Sequence, residues 1–320
     1  MKLTLKATAA LVGFPLLAMV CSTFLADNAV AQSTAAQRAF AARRPLARGG
    51  GGTIGPLASN GMVVVPANAA TLAAALLGAG VTLSGTPTLT GAAAQAGTFT
   101  NAPGLVGFPS GIVLSSGNVS DAATTYAGSD LPSTNEGGTG DSQLTALVGA
   151  TTFDAATLTF SFIPTASTIF FSYTFASAEY PNFVGSQFND VFAFFVNGTN
   201  RALLPGTSTV VSINNVNTTT NSQFFNKYNT TGDALSYGGE TKVLSVTAPV
   251  NSGQVNTIKI AIADTSDGVL DSAIFIANGS FSTAPPPTPG VPVPPSLILT
   301  MIGLAGLGTY MALRQRRARA

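Results

Sequence analysis

Along the middle of the chain, apolar side chains recur at every second position. Leu158, Phe160 and Phe162 share one side of such a run, Ile169, Phe171, Tyr173 and Phe175 share one side of the next, and Phe192, Phe194 and Val196 do so in a third. Val210-Val211 with Ile213, Val243-Leu244-Ser245-Val246, the series Ile258, Ile260 and Ile262, and Ile274-Phe275-Ile276 extend the pattern. A period of two is that of a pleated strand with one face buried. Asn197-Gly198, Asp267-Gly268 and Asn278-Gly279 supply turn chemistry between the runs. One stretch departs from this period. In NAATLAAALLGAGVTLSG, Leu72, Leu76 and Leu77 share a helical face, and Gly78 or Gly80 can end the helix, so residues 69–78 are expected to form one short helix against the sheet edge. The prediction is all-β: a jelly-roll-like β-sandwich with one short N-terminal helix. With no internal repeat and no shift of composition, residues 58–283 read as one domain.

The two ends follow other patterns. Lys2 and Lys6 precede the apolar run LVGFPLLAMVCSTFLA, and Ala29-Val30-Ala31 comes just before Gln32. This basic, apolar, small-x-small order is that of a secretory signal peptide over residues 1–31, cut between Ala31 and Gln32. Pro15 and the cleavage site disfavour a first transmembrane helix, and Met19-Val20 before Cys21 disfavour a lipoprotein. Residues 32–57 form a flexible Gly/Arg-rich leader. A Pro-rich spacer, 284–295, precedes the tail, 296–320, whose apolar stretch Leu297–Leu313 is followed by Arg314, Arg316, Arg317 and Arg319. Seventeen residues at a rise of ~1.5 Å cover ~25 Å, near the lower limit for a transmembrane helix, with the arginines on the cytoplasmic side. LPSTN at 131–135 and LPGTS at 204–208 lie too far upstream to be sortase signals.

Charge narrows the partners. The formal net charge of +1 hides a segregation, because ten of the fourteen basic residues lie near the two ends. Between residues 58 and 283, four basic residues face twelve acidic ones, a balance of −8 that disfavours nucleic acid. There is no His, and Cys21 is the one cysteine. That excludes intramolecular disulfides, Cys/His zinc sites and His-based triads.

Candidate chemistry rests on oxygen ligands and aromatic rings. Glu179 and Asp190 bracket a loop between two apolar runs, and ADTSDGVLDSA places Asp264, Asp267 and Asp271 in another. Oxygen-rich loops of this kind suit Ca²⁺, although the spacing is not that of an EF-hand. The same groups can instead serve as structural hydrogen-bond acceptors. A carboxylate pair ~5–9 Å apart would also permit glycoside hydrolysis. Tyr180, Asn189, Phe224, Tyr228 and Tyr237 lie in or beside polar segments where rings can stack on sugars and amides can bond hydroxyls.

Two resemblances complete the reading. Val291-Pro292-Val293-Pro294, the apolar stretch and the arginine cluster resemble a PEP-CTERM sorting signal, with Val293 in place of the usual Glu. That resemblance implies an exosortase-type processing enzyme as partner, transient inner-membrane anchoring, and delivery to the outer surface or extracellular matrix of a Gram-negative bacterium, beside exopolysaccharide. The body is similar to the choice-of-anchor L domain. The similarity rests on Leu72-Ala73 through Gly80-Val81, Gly97-Thr98-Phe99, Ser110 to Gly117, Gly137-Gly138 with Gly140-Asp141, Phe175 to Tyr180, Phe188 to Phe192, and Ile262-Ala263-Asp264 through Asp267-Gly268 to Asp271-Ser272-Ala273. It implies an exported, non-enzymatic module for adhesion or for association with exopolysaccharide or biofilm matrix. A secreted carbohydrate-active enzyme and a passive structural surface protein are the alternatives.

Overall fold

The structure is a computed structural model that describes residues 59–286 apart from 103, 129 and 130. The signal peptide, its Ala31/Gln32 cleavage site, the leader, most of the spacer and the sorting tail with its transmembrane span lie outside the described residues. Among the described residues, no helix is long and apolar enough to cross a membrane.

Two antiparallel sheets face each other. In the first, the strands are β1 (Val63–Pro66), β3 (Ala96–Thr100), β4 (Gly111–Ser115), β6 (Thr168–Ser177), β9 (Phe225–Tyr228), β10 (Gly239–Thr241), β11 (Leu244–Pro249) and β13 (Ser272–Ala277). Their order is β1-β3-β4-β13-β6-β10-β9, with β11 paired to the earlier part of β6. The second sheet holds β2 (Val81–Thr90), β5 (Thr152–Pro164), β7 (Val191–Val196), β8 (Thr199–Asn200) and β12 (Asn256–Thr265), in the order β2-β5-β12-β7-β8. The chain crosses repeatedly from one sheet to the other, so neighbours in space are mostly distant in sequence.

The alternating runs point where their period says. Leu158, Phe160, Phe162, Phe171, Tyr173, Phe175, Phe192, Phe194 and Ile258, Ile260 and Ile262 meet between the sheets in one core. Aromatic edges meet faces there: Phe171 and Phe194 have ring centroids 4.8 Å apart at 81°, and Tyr173 and Phe194 5.0 Å apart at 77°. Strands β7 and β13 are apolar on both sides because both of their faces are covered. Ile274 and Ile276 join the central core, while Phe275 joins a second cluster with Phe99, Val113 and Tyr237.

Several local expectations are corrected. The first helix, α1, is Ala69–Leu76; the Asn68 side chain caps it by accepting from Thr71 N, and Leu72 and Leu76 enter the main core rather than resting on an edge. A second helix, α2 (Ser142–Val148), joins it, so the one-helix expectation falls short. Asp141 caps α2, Gly149 ends it at φ 71°, and its Leu144 covers Ala193, Ala261 and Ala263 on the outer face of the second sheet. The run at Val210, Val211 and Ile213 is no strand. Val211 and Ile213 reach the core from a loop, whose backbone bonds go to turns such as Val216 N to Ser212 O. Val243 lies outside β11 and is 42% exposed, while Leu244, Val246 and Ala248 point inward.

Candidate functional site

Antiparallel pairing brings the ends of four strands to one end of the sandwich. Glu179 follows β6, Asp190 precedes β7, Asp264 lies near the end of β12 and Asp271 immediately precedes β13. Each sheet thus supplies two carboxylates. All four are at most 1% exposed, although the sequence pattern set them in or beside loops between the apolar runs.

Their partners are mainly donors from this chain. Asp190 accepts from Thr265 N at 3.0 Å and from Ser272 Oγ at 2.7 Å, while its own amide donates to Glu179 Oε2 at 3.4 Å. Asp271 accepts from Thr134 N with both oxygens, at 3.1 and 2.9 Å. Asp264 differs: neither carboxylate oxygen has a hydrogen-bond partner. The Ser116 hydroxyl favours its ionised form from nearby, but donates to and accepts from the backbone of Ser272. A register shift between Ile262 and Asp264 marks a bulge in β12, and Asp264 ends on the side that feels Asp190, Asp271 and Glu179.

Burial dominates the electrostatics. It pushes Asp190 from its ordinary 3.8 up to about 8, against the pull of Ser272 and Thr265 and with help from the charge of Asp267. Burial likewise holds Asp264 well above the usual range, and the charges of Asp190 and Asp271 add to it. Asp271 is raised by burial against the Thr134 amide, with Asp121, Asp190 and Asp154 raising it further. The basic side chains of Lys259, Lys227 and Lys242 are engaged elsewhere: Lys259 with Asp141 at 2.5 Å, Lys227 with Asp233 at 2.8 Å, and Lys242 with the Gln223 carbonyl.

A strap closes over this end. Asp154, in left-handed conformation at φ 48°, accepts from Glu136 N at 3.1 Å and from Gly138 N, so Asp154 and Asp271 together pin residues 134–138. A Cβ on Gly117 would overlap the Asp271 carboxylate, and one on Gly140 would overlap the Thr152 carbonyl. Asp154 was not read from the sequence as a site residue, since its one signal, an acid inside the apolar start of β5, is weak. Glu240 was also missed. It is buried where Asn226 and Asn229 bond its two oxygens, and burial raises its pKa.

The remaining candidates scatter. Asp267 is half-buried in a turn, where its Oδ1 accepts from Val269 N. Tyr180 and Tyr237, expected to offer faces to sugars, are enclosed; the Tyr180 hydroxyl donates to Val216 O. Tyr180 packs on Phe225 and Tyr228, and Tyr237 on Phe275, so the rings that surround them close off their faces. Asn189 is half-buried and accepts from Asn214 N at 3.1 Å. Phe224 and Tyr228 keep partial exposure beside the exposed residues Thr218, Thr219 and Thr220. Among the described residues, no group of three or more Asp, Glu, His or Cys side chains stands arranged as a metal centre.

The comparisons bear on this geometry. The family model for the choice-of-anchor L domain matches residues 67–282, more than half of the 320-residue chain. The chain belongs to this family. Membership makes it a surface-associated protein. The matched range includes the segments that build and enclose the carboxylate end: Phe175–Tyr180, Phe188–Phe192, Ile262–Ala273 and the strap at 134–138. No curated protein matches the chain. A crystal structure of a β-glucosidase from Kluyveromyces marxianus aligns over 40% of this chain and 12% of its own, at 14% identity and a TM-score of 0.20.

Proposed function

We propose that this choice-of-anchor L protein is an exported, non-enzymatic module that associates with neutral exopolysaccharide of a biofilm or extracellular matrix. The observation that carries the reading is where the acid goes. None of the described Asp or Glu residues is exposed, and six are buried. The exterior that remains is hydroxyl- and amide-rich: Thr82, Thr86, Thr88 and Thr90 on β2, Ser245 and Thr247 on β11, and Thr218 to Thr220 with Ser222 and Gln223 beside Phe224 and Tyr228. Such a surface bonds sugar hydroxyls without needing charge, and half-exposed rings add stacking area. The enclosed carboxylates support a role without turnover, since general acid–base work on a glycosidic bond needs both groups within reach of it.

On this reading, residues 1–31 direct export and the PEP-CTERM-like tail is processed at the outer surface of a Gram-negative cell. A glycan array probed with the full chain tests the binding. Selective retention on neutral polysaccharides, reduced by Tyr228→Ala, is the expected result, and uniform background would replace this reading with that of a passive structural protein.

A further inference from the structure

We propose that Asp264, Asp190, Glu179 and Asp271 form a Ca²⁺ site buried between the two sheets at the carboxylate end of the sandwich. The inference does not depend on polysaccharide binding, a reading that uses these same acids only for their burial. Asp264 is the observation that points to a ligand. It is 0% exposed, both of its oxygens lack a hydrogen-bond partner, and it lies within the influence of three other buried carboxylates. A buried carboxylate of this kind is costly unless something positive or a proton meets it. The charges acting on Asp190, Asp264 and Asp271 are negative ones, so none of the described residues supplies a counter-ion there.

The donor set selects the ion. Residues 59–286 contain neither His nor Cys, which leaves hard oxygen ligands. Four carboxylates offer eight oxygens, and Ca²⁺ takes six to eight. The hydrogen bonds from Thr265, Ser272 and Thr134 leave a second lone pair on each oxygen they reach. Mg²⁺ demands octahedral geometry and retains waters, for which a fully enclosed cluster is poorly suited. Since the side chains do not yet stand as a metal centre, uptake requires them to close in on the ion by rotation of their carboxylates. Asp267, half-buried and felt by Asp190, lies toward the solvent side and is not needed as a ligand. The ion would join β6 and β13 of one sheet to β7 and β12 of the other.

Calorimetric titration of the purified full chain with CaCl₂ at neutral pH tests this, with thermal melting in Ca²⁺ and in EDTA. Saturable binding of one ion per chain and a higher melting midpoint in Ca²⁺ are expected. Asp264→Asn should lose both effects, and Asp233→Asn, altering the surface ion pair with Lys227, should keep both. Should Asp264→Asn fail to fold, Tb³⁺ emission excited through tyrosine and displaced by Ca²⁺ reports the wild-type site, since Tyr180 and Tyr237 adjoin the cluster. Absence of binding, retention by Asp264→Asn, loss in Asp233→Asn, or equal affinity for Mg²⁺ would overturn the assignment.

Discussion

At the scale of single residues, the carboxylates set an unusual direction for pH dependence. Acids paired with cations have depressed pKa values and lose stability as pH falls. Here burial raises them. Asp190 moves from 3.8 to about 8, and Asp264 and Asp271 shift the same way. Between those two values the folded chain holds more protons than the unfolded one, so stability is fully present below about pH 4 and is lost as pH rises toward 8. Melting in EDTA should therefore show a midpoint that falls over this window. Asp190→Asn should flatten the slope, because the amide cannot ionise. A midpoint that instead rises from pH 4 to 8 would show that cationic partners dominate these groups. The sequence made the acids themselves legible, since Glu179, Asp190, Asp264 and Asp271 interrupt apolar runs. It did not make their burial legible, because that depends on which strand ends meet across two sheets.

At the scale of elements, what could be read depended on whether a segment's pattern was its own. The inner faces of β5, β6, β7 and β12 follow from their period of two, and α1 from the spacing of Leu72 and Leu76. Helix α2 was hidden because seven residues, about two turns, are too short to establish a helical period, and its stability comes from Asp141 and from packing on the second sheet. Asp141 accepts from Gln143 N and Leu144 N and also holds Lys259. Asp141→Ala should cost about 1–2 kcal/mol from the lost cap, measured by urea denaturation. Gly140→Ala tests the neighbouring strap by a different mechanism. Its backbone is not left-handed, so the cost comes from forcing a Cβ against the Thr152 carbonyl, about 1–3 kcal/mol of overpacking. Gly149→Ala, in open space but at φ 71°, should cost about 1–2 kcal/mol from strain alone.

At the scale of the whole molecule, the two sheets are closed by a segment that no alternation marks. After β13 the chain returns beside α1: Gly78 N donates to Phe281 O, Phe281 N to Leu76 O, and Thr283 N to Ala79 O. Phe281 inserts its ring among Phe162, Phe160 and Phe171, with centroids 4.8, 5.6 and 5.6 Å away. Ser282 pairs with Phe170 at the margin of β6. These few residues therefore join the first helix, both sheets and the aromatic core, and the family match ends among them, at 282. Phe281→Ala should destabilise by about 3–5 kcal/mol, because the rings around it are held by opposing sheets and cannot collapse into the space. Ending the chain after Asn278 removes the same ring together with its backbone bonds, and should abolish the cooperative unfolding transition. Ending it after Pro285 removes none of these contacts and should leave the transition of residues 59–285 unchanged. Equal denaturation curves for the two truncations would mean that the aromatic core closes without Phe281, and that the sandwich is complete at β13.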